Sequence, residues 1–282
     1  MNSQKPSVAL IVHSCDRYQF LYKGFHHFFN KRWNFDINCR YYFATELADA
    51  ALPGFENIKS GKGEWSDRLS FLLREKIKED YVLYFQEDMW MTKPVNERFF
   101  KQLFDLAIEN KWKQVKINSS EVYTTIASDN FIEGFNISVL DNKKSDFLMS
   151  HQVTLWEKQF LIDQLVKNEH PWRNERRGTQ RLRKLNPVIY HIDYFSDSGK
   201  GEVNKNINPV GRSEYVTISE NGTLSAKAVP FIDSLLQESG ELLAYGKELK
   251  RHYDNNLTHD GKEQPRKDGA FKKLKNWLLN VR

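Results

Sequence analysis

The chain has 282 residues, of which 40% are hydrophobic, 13% aromatic and 28% charged, with 42 Lys and Arg against 37 Asp and Glu. With 14 Gly and 8 Pro, this composition excludes a disordered, collagen-like or low-complexity chain. The net charge of +5 gives no reason to expect a nucleic-acid partner, and two cysteines, Cys15 and Cys39, are too few for a disulfide framework or a zinc site. No run approaches the apolar length of a secretory core (about 7–15 residues) or of a spanning helix (about 20). The sequence therefore predicts a cytoplasmic protein, at most peripheral on the inner face of a membrane. In that compartment the Asn-x-Ser/Thr tripeptides beginning at Asn118, Asn136, Asn221 and Asn256 are chance matches.

In chain order, the continuous apolar run 8–12 reads as a strand buried on both faces. Residues 16–30 repeat Phe20, Gly24 and Phe28 at helical spacing, and 37–44 is a second strand. Residues 66–78 place Leu69, Leu72, Leu73 and Ile77 on one helical face, with Ser66 as N-cap. Residues 81–85 form a third buried strand, 95–110 an amphipathic helix with Phe99, Leu103 and Leu106 inward, and 114–117 a further strand. Strand and helix in alternation predict an α/β fold with a mostly parallel central sheet flanked by helices. Alternation of His151, Val153 and Leu155 predicts a strand near the sheet edge, followed by a helix over 157–167 and a strand over 187–194. Residues 196–212 read as a long functional loop. Residues 229–253 are helical by pattern, followed by a polar linker and a basic amphipathic tail. Two regions follow: a catalytic domain over 1–228 and a helical extension over 229–282.

The feature richest in chemistry is Tyr-Val-Leu-Tyr-Phe-Gln-Glu-Asp-Met-Trp, residues 81–90. A buried strand runs into two carboxylates, Glu87 and Asp88, and ligands of open α/β sheets sit beyond the carboxyl ends of strands. Carboxylate oxygens there suit Mg²⁺ or Mn²⁺ bridging a diphosphate, or else simply open a solvated loop. After the first strand come His13, Ser14, Asp16 and Arg17. Asp16 can accept from a base imide or ribose hydroxyl, can cap the next helix, or both; Ser14 can bind the ribose. Arg68 is either a bidentate phosphate donor or a solvent-facing helix arginine.

This block resembles the GT-A class of nucleotide-sugar glycosyltransferases, in which a strand ends in an Asp-x-Asp-type metal motif. It is most similar to bacterial enzymes that build capsule or lipopolysaccharide. Val8–Asp16 resembles the family's first strand and nucleotide-contacting turn, and Glu64–Leu69 the segment opening the helix before the metal strand. The resemblance spans about residues 7–195. It implies a GT-A (Rossmann-like) fold, a nucleotide-sugar donor, a glycan or lipid-linked glycan acceptor, and a divalent metal, Mn²⁺ or Mg²⁺. The motif here reads Gln86-Glu87-Asp88. Adjacent residues on an extended strand point to opposite faces, so one carboxylate, Asp88, is expected on the metal and Glu87 on the donor sugar.

The same resemblance implies that Glu175, in Trp172-x-x-Glu175, deprotonates the acceptor hydroxyl. The basic run Arg176, Arg177, Arg181, Arg183 and Lys184 is either an anionic-acceptor surface or a solvated helix face. His191 is either a late metal ligand, as in some GT-A enzymes, or a core histidine. Lys200 in Ser198-Gly199-Lys200-Gly201 can close over the departing diphosphate, although Walker spacing is absent. With no residue marked as a covalent nucleophile, the expected reaction inverts the anomeric centre. A nucleotidyltransferase acting on sugar phosphates is disfavoured because His13–Tyr18 contains no glycine. A non-catalytic carbohydrate- or RNA-binding module leaves the strand-terminal carboxylates unexplained. Residues 271–282, with Phe271, Leu274, Leu278 and Val281 on one face among lysines, predict contact with an anionic membrane surface or docking on the domain.

Overall fold

The computed structural model describes residues 7–197 and 211–263. The chain divides into two compact units, Met1–Thr217 and Ile218–Arg282. In the first, eleven strands among the described residues form one mixed sheet. They are β1 (Val8–His13), β2 (Arg40–Thr45), β3 (Glu56–Lys59), β4 (Tyr81–Phe85), β5 (Met89–Met91), β6 (Gln114–Ser119), β7 (Thr125–Ile126), β8 (Ser138–Leu140), β9 (Thr154–Glu157), β10 (Tyr190–Asp197) and β11 (Ser213–Thr217). Their spatial order is β3-β2-β1-β4-β9-β6-β10-β8-β7, with β11 beside β10 and β5 beside β11. The first four strands pair in parallel. The α/β class is as the sequence predicts.

One strand lies where the sequence does not put it. The alternation at 151–155 predicts an edge, but β9 sits between β4 and β6 and is antiparallel to both. Thr154, Leu155 and Trp156 are all buried, and a four-residue strand covered on both faces carries too few positions to declare its burial by periodicity.

Helices cover both faces: α1 (Gln19–Arg32), α2 (Trp65–Phe71), α3 (Glu97–Glu109), α4 (Lys158–Gln164) and α5 (Pro171–Leu185). Strand alternation sends Ala9, Ile11, Val82 and Tyr84 to one face, where they pack with Leu69 of α2, Leu161 of α4 and Leu182 of α5. Phe85 points to the other face, against Phe29 (6.0 Å between centroids) and Trp33 (5.9 Å), and Trp33 meets Phe100 of α3 at 4.8 Å. Such aromatic pairs each add about 0.5–1.5 kcal/mol beyond the area they bury.

Helix α2 also departs from expectation. Ser66 is not its cap: the helix starts at Trp65 and gives way to a π turn over Leu72–Lys76. Ser66 is buried, and its Oγ accepts the Glu169 N–H at 2.9 Å, a partner 103 residues away that local patterning does not reveal. Helices α3 and α4 are capped as side-chain chemistry dictates, by Asn96 accepting from the Phe99 N–H and by Glu157 accepting from the Phe160 N–H.

The second unit holds a hairpin, Ser219–Glu220 with Thr223–Leu224, then α6 (Val229–Leu236) and α7 (Gly240–Asp254). The helical stretch expected over 229–253 forms these two helices, separated after Leu236, and Gly240, with a φ of 57°, opens α7. Among the described residues no helix is long and apolar enough to cross a membrane. Lys200 and residues 271–282 lie outside the described residues.

Candidate active site

The turn after β1 is tied down from within. The Asp16 carboxylate accepts three backbone N–H groups of the loop after β2: Glu46 at 3.0 Å, Leu47 at 2.9 Å and Ala48 at 3.0 Å. The Asp16 N–H in turn donates to Glu46 Oε2 at 3.0 Å. Asp16 thus joins two strand-end loops and does not cap the following helical turn, which has no side-chain cap. The buried Ser14 hydroxyl lies 2.7 Å from the Ala44 carbonyl and 2.8 Å from Tyr22 Oη. Arg68 is buried, donates from Nη1 to the Ser14 carbonyl at 3.0 Å, and stands 3.6 Å from Glu46. His13 is buried, with Nδ1 3.3 Å from Tyr84 Oη. Burial, then the charge of Arg68, holds the His13 imidazole well below its ordinary pKa, so the ring is neutral. Arg17 is exposed.

The carboxylates after β4 sit in a tight turn and not on the strand. The Met89 N–H returns to the Gln86 carbonyl at 3.2 Å, and Trp90 Nε1 donates to the Glu87 carbonyl at 3.1 Å. Glu87 is buried beside the β1 turn: its charge raises the Cys15 thiol, already pushed up by burial, to about 12. Burial raises Glu87 itself well above the carboxylate range, Asp88 adds to this, and Arg68 opposes it. Asp88 also feels the charge of Asp197, the last residue of β10. Burial and then the Asp197 charge push Asp88 up to about 7, against the stabilising backbone N–H. Glu87 Oε2 and Asp88 Oδ1 are buried without hydrogen-bond partners. Two such oxygens fit a hard divalent cation, which takes few protein carboxylates and completes its shell with water and phosphate oxygens. Among the described residues no group of three or more His, Cys, Asp or Glu is placed to enclose a metal alone.

Glu175 lies on the first turns of α5 and lines a cleft of about 410 Å³ that it shares with Asp197. Its position follows from how α5 meets the segment before β9. Thr179 Oγ1 accepts the Met149 N–H at 3.2 Å, and Glu175 Oε1 accepts the His151 N–H at 2.9 Å. Gly178 permits this approach, since a Cβ there would lie 2.7 Å from Met149 Cγ. Burial raises the Glu175 pKa, while the His151 N–H and the charge of Lys116 hold it back. A carboxylate with a raised pKa that lines a cleft is suited to accept a proton. The buried His151 ring meets Trp65 at 4.1 Å with the planes tilted by 53°, and Trp65 meets His13 at 5.7 Å, so a packed chain of rings runs from the β1 turn to His151, whose N–H Glu175 accepts.

The remaining residues separate. His191 is buried, with Nε2 3.2 Å from the Asn118 carbonyl and Nδ1 3.5 Å from Ser138 Oγ. Of the basic run, Arg181 forms a two-pronged pair with Glu169 at 3.1 and 2.9 Å, and Arg183 donates to the Asn142 and Ser145 carbonyls. Arg176, Arg177 and Lys184 are exposed. Sequence reasoning missed Lys116 and Asp197. Lys116 is 1% exposed and donates to Ser150 Oγ at 3.0 Å; burial lowers its pKa to about 7. A lysine between Val115 and Ile117 in a buried strand was the available signal. Asp197 was absorbed into a predicted loop, although it ends a strand as Asp88 nearly does.

No protein-family model matches the chain, and no curated protein matches it in sequence. Its fold is similar to residues 1–349 of Staphylococcus aureus TarS, at 10% identity over 88% of this chain and 70% of that one, with a TM-score of 0.44. The same TarS segment in complex with UDP-GlcNAc is similar at 10% identity, covering 87% and 71%, with a TM-score of 0.44. A Desulfovibrio desulfuricans protein described as a candidate nucleotide-diphospho-sugar transferase is similar at 9% identity over 88% and 98%, with a TM-score of 0.43. Likeness of this degree says nothing about chemistry, which rests on the cleft itself.

Proposed function

We propose that the chain is a glycosyltransferase that moves a sugar from a nucleotide-sugar donor to a hydroxyl of a bacterial surface-glycan acceptor, polysaccharide or lipopolysaccharide, with inversion. The observation that carries this reading is convergence. Glu175 and Asp197 line one cleft, and the charge of Asp197 reaches Asp88 in the turn after β4, so a proton acceptor and the cation-seeking carboxylates lie within electrostatic reach of one another. Glu175 takes the proton of the acceptor hydroxyl as it attacks the anomeric carbon, and attack in line with the departing diphosphate inverts that centre. Asp88, with its unpartnered Oδ1, would hold a divalent cation, which when bound would offset charge on the leaving diphosphate. His13, Ser14, Asp16 and Arg68 keep the β1 turn in shape for the nucleotide, while Glu87 faces that turn. Contact of residues 271–282 with an anionic membrane surface belongs to the same proposal.

The test is a thermal-shift screen of the full chain with nucleoside diphosphates, with and without Mn²⁺. A ligand at 100 times its Kd adds about 2.7 kcal/mol of apparent stability. At least one nucleoside diphosphate should raise Tm, and Asp88→Asn should abolish the Mn²⁺-dependent part while its own Tm without ligand stays at the parent value. Absence of any nucleotide-dependent shift, with or without metal, sinks the donor assignment.

A further inference from the structure

The cleft beside Glu175 has a chemistry of its own. Among the described residues its lining includes three carboxylates, Glu121, Glu175 and Asp197, and no arginine or lysine. Asn118 is also part of it, is 4% exposed, and presents an Oδ1 buried without a hydrogen-bond partner. A carbonyl oxygen in that state requires a donor, and leaving it unmet costs about 1–3 kcal/mol. Gln152 is oriented by the Tyr215 hydroxyl, which donates to its Oε1 at 2.6 Å and leaves the amide NH₂ for a ligand. Ser150 Oγ accepts from Lys116 at 3.0 Å and lies 3.3 Å from Tyr123 Oη, so two hydroxyls of the lining form one chain along the cleft. The described lining thus sets carboxylate and amide acceptors beside the Gln152 donor and suits a ligand carrying many hydroxyls, each of which both donates and accepts. Phosphate, sulfate or carboxylate groups bring further acceptors and negative charge into the same space.

One side of the cleft is apolar. Phe147 lines it with 45% of its surface exposed, and its backbone is held at a φ of 50°. For a bulky side chain this left-handed conformation costs about 1–3 kcal/mol, and such strain persists where surrounding structure enforces it. Its result is a ring presented at the cleft beside hydroxyl and amide groups. A pyranose has the complementary shape, with one face of C–H groups to lie on the ring and a rim of hydroxyls to reach the acceptors.

We propose that this cleft is a subsite for an uncharged pyranoside, the acceptor end on which Glu175 acts, with Phe147 as the stacking platform and Asn118 as a hydroxyl reader. The inference rests on the base assignment above and narrows it, because the acidic lining selects against uronate or phosphate-bearing sugars.

The experiment is saturation-transfer NMR on the full chain. The probes are the methyl β-pyranosides of glucose, galactose and N-acetylglucosamine, with methyl β-glucuronide as the anionic counterpart. At least one neutral glycoside should receive transfer, strongest at its ring C–H protons, with the glucuronide at least threefold weaker. Phe147→Ala keeps the Cβ and the backbone strain and removes only the ring; transfer should fall at least fivefold and return in Phe147→Tyr. Equal or stronger transfer to the glucuronide, undiminished transfer in Phe147→Ala, or none to any neutral glycoside overturns the proposal. Nucleoside diphosphate shifts on the same samples separate the two readings. If they persist while glycoside transfer fails, the subsite is wrong and the donor assignment survives. If glycosides bind and no nucleotide does, the reverse holds.

Discussion

Two polar regions flank the ends of the central strands, and they differ in who takes their hydrogen bonds. At the β1 turn, Ser14, Asp16 and Arg68 are engaged by backbone or side chains some 30–54 residues away. In the cleft beside β6 and β10, Asn118 keeps an unpartnered oxygen, and Glu175 accepts one backbone N–H with the rest of its carboxylate facing the cavity. The first region is built to hold a shape and the second to receive something. Polar residues at strand ends look alike in both until the long-range partners are known.

Substitution separates the two kinds of residue, and the largest effect belongs to the cleft. Glu175→Gln keeps the acceptor for the His151 N–H but cannot take a proton, so transfer should fall about 10²–10⁴-fold. Its urea midpoint and nucleoside diphosphate binding should stay at the parent values. Near-parent transfer in a folded variant removes Glu175 from the mechanism. Arg68→Met should show the opposite pattern. It leaves the buried Ser14 carbonyl without its donor and Glu46 without its cation, and an unmet buried acceptor costs about 1–3 kcal/mol, read as a lower urea midpoint. If Arg68→Met keeps the parent midpoint and loses only nucleotide binding, Arg68 is a ligand contact and the contrast fails at that turn.

The sequence made legible what depends on local pattern. The apolar runs of β1 and β4, the amphipathic α3 and the carboxylates after β4 all lie where periodicity and strand-end chemistry put them. The central place of β9 stayed hidden because four residues buried on both faces give no readable period. Ser66, Asp16 and Arg68 were singled out as types, yet their partners come from 30 to 103 residues away. Lys116 was invisible as a site residue because its meaning depends on Glu175, 59 positions later, facing it across the fold.

Lys116 sharpens the comparison because it donates to Ser150 of the cleft lining without lining the cleft itself, and its cost can be measured. Burial lowers its pKa to about 7 from an ordinary value near 10.5. Between those values the unfolded chain holds a proton that the native protein lacks, so stability rises with pH across the window. Below pH 7 both states hold it, and the interior bears the charge in full. Lys116→Met should therefore gain about 1–4 kcal/mol below pH 7, with the gain shrinking to nothing near pH 10.5. The charge of Lys116 also lowers the Glu175 pKa, so its loss should move the acid limb of the transfer rate to higher pH. A variant no more stable at pH 6 than at pH 10, with an unmoved acid limb, shows that Lys116 does not act on the cleft.

The smallest effect tests whether the cleft is held as closely as the β1 turn. Gly178 lies inside α5, where alanine ordinarily stabilises a helix by about 1 kcal/mol. Here the new Cβ would stand 2.7 Å from Met149 Cγ and 2.9 Å from Met149 Cβ, inside the contact that sets α5 against the segment before β9. Overpacking of this kind costs about 1–3 kcal/mol, more than the helix gains. The strain can be relieved only by tilting α5 or displacing Met149, and either movement disturbs the hydrogen bonds from the Met149 N–H to Thr179 and from the His151 N–H to Glu175. Gly178→Ala should therefore lower Tm by a few degrees and reduce transfer more than nucleoside diphosphate binding, since the base moves while the β1 turn does not. A raised Tm with parent transfer means that α5 yields freely, and that Glu175 is positioned by something other than the packing described.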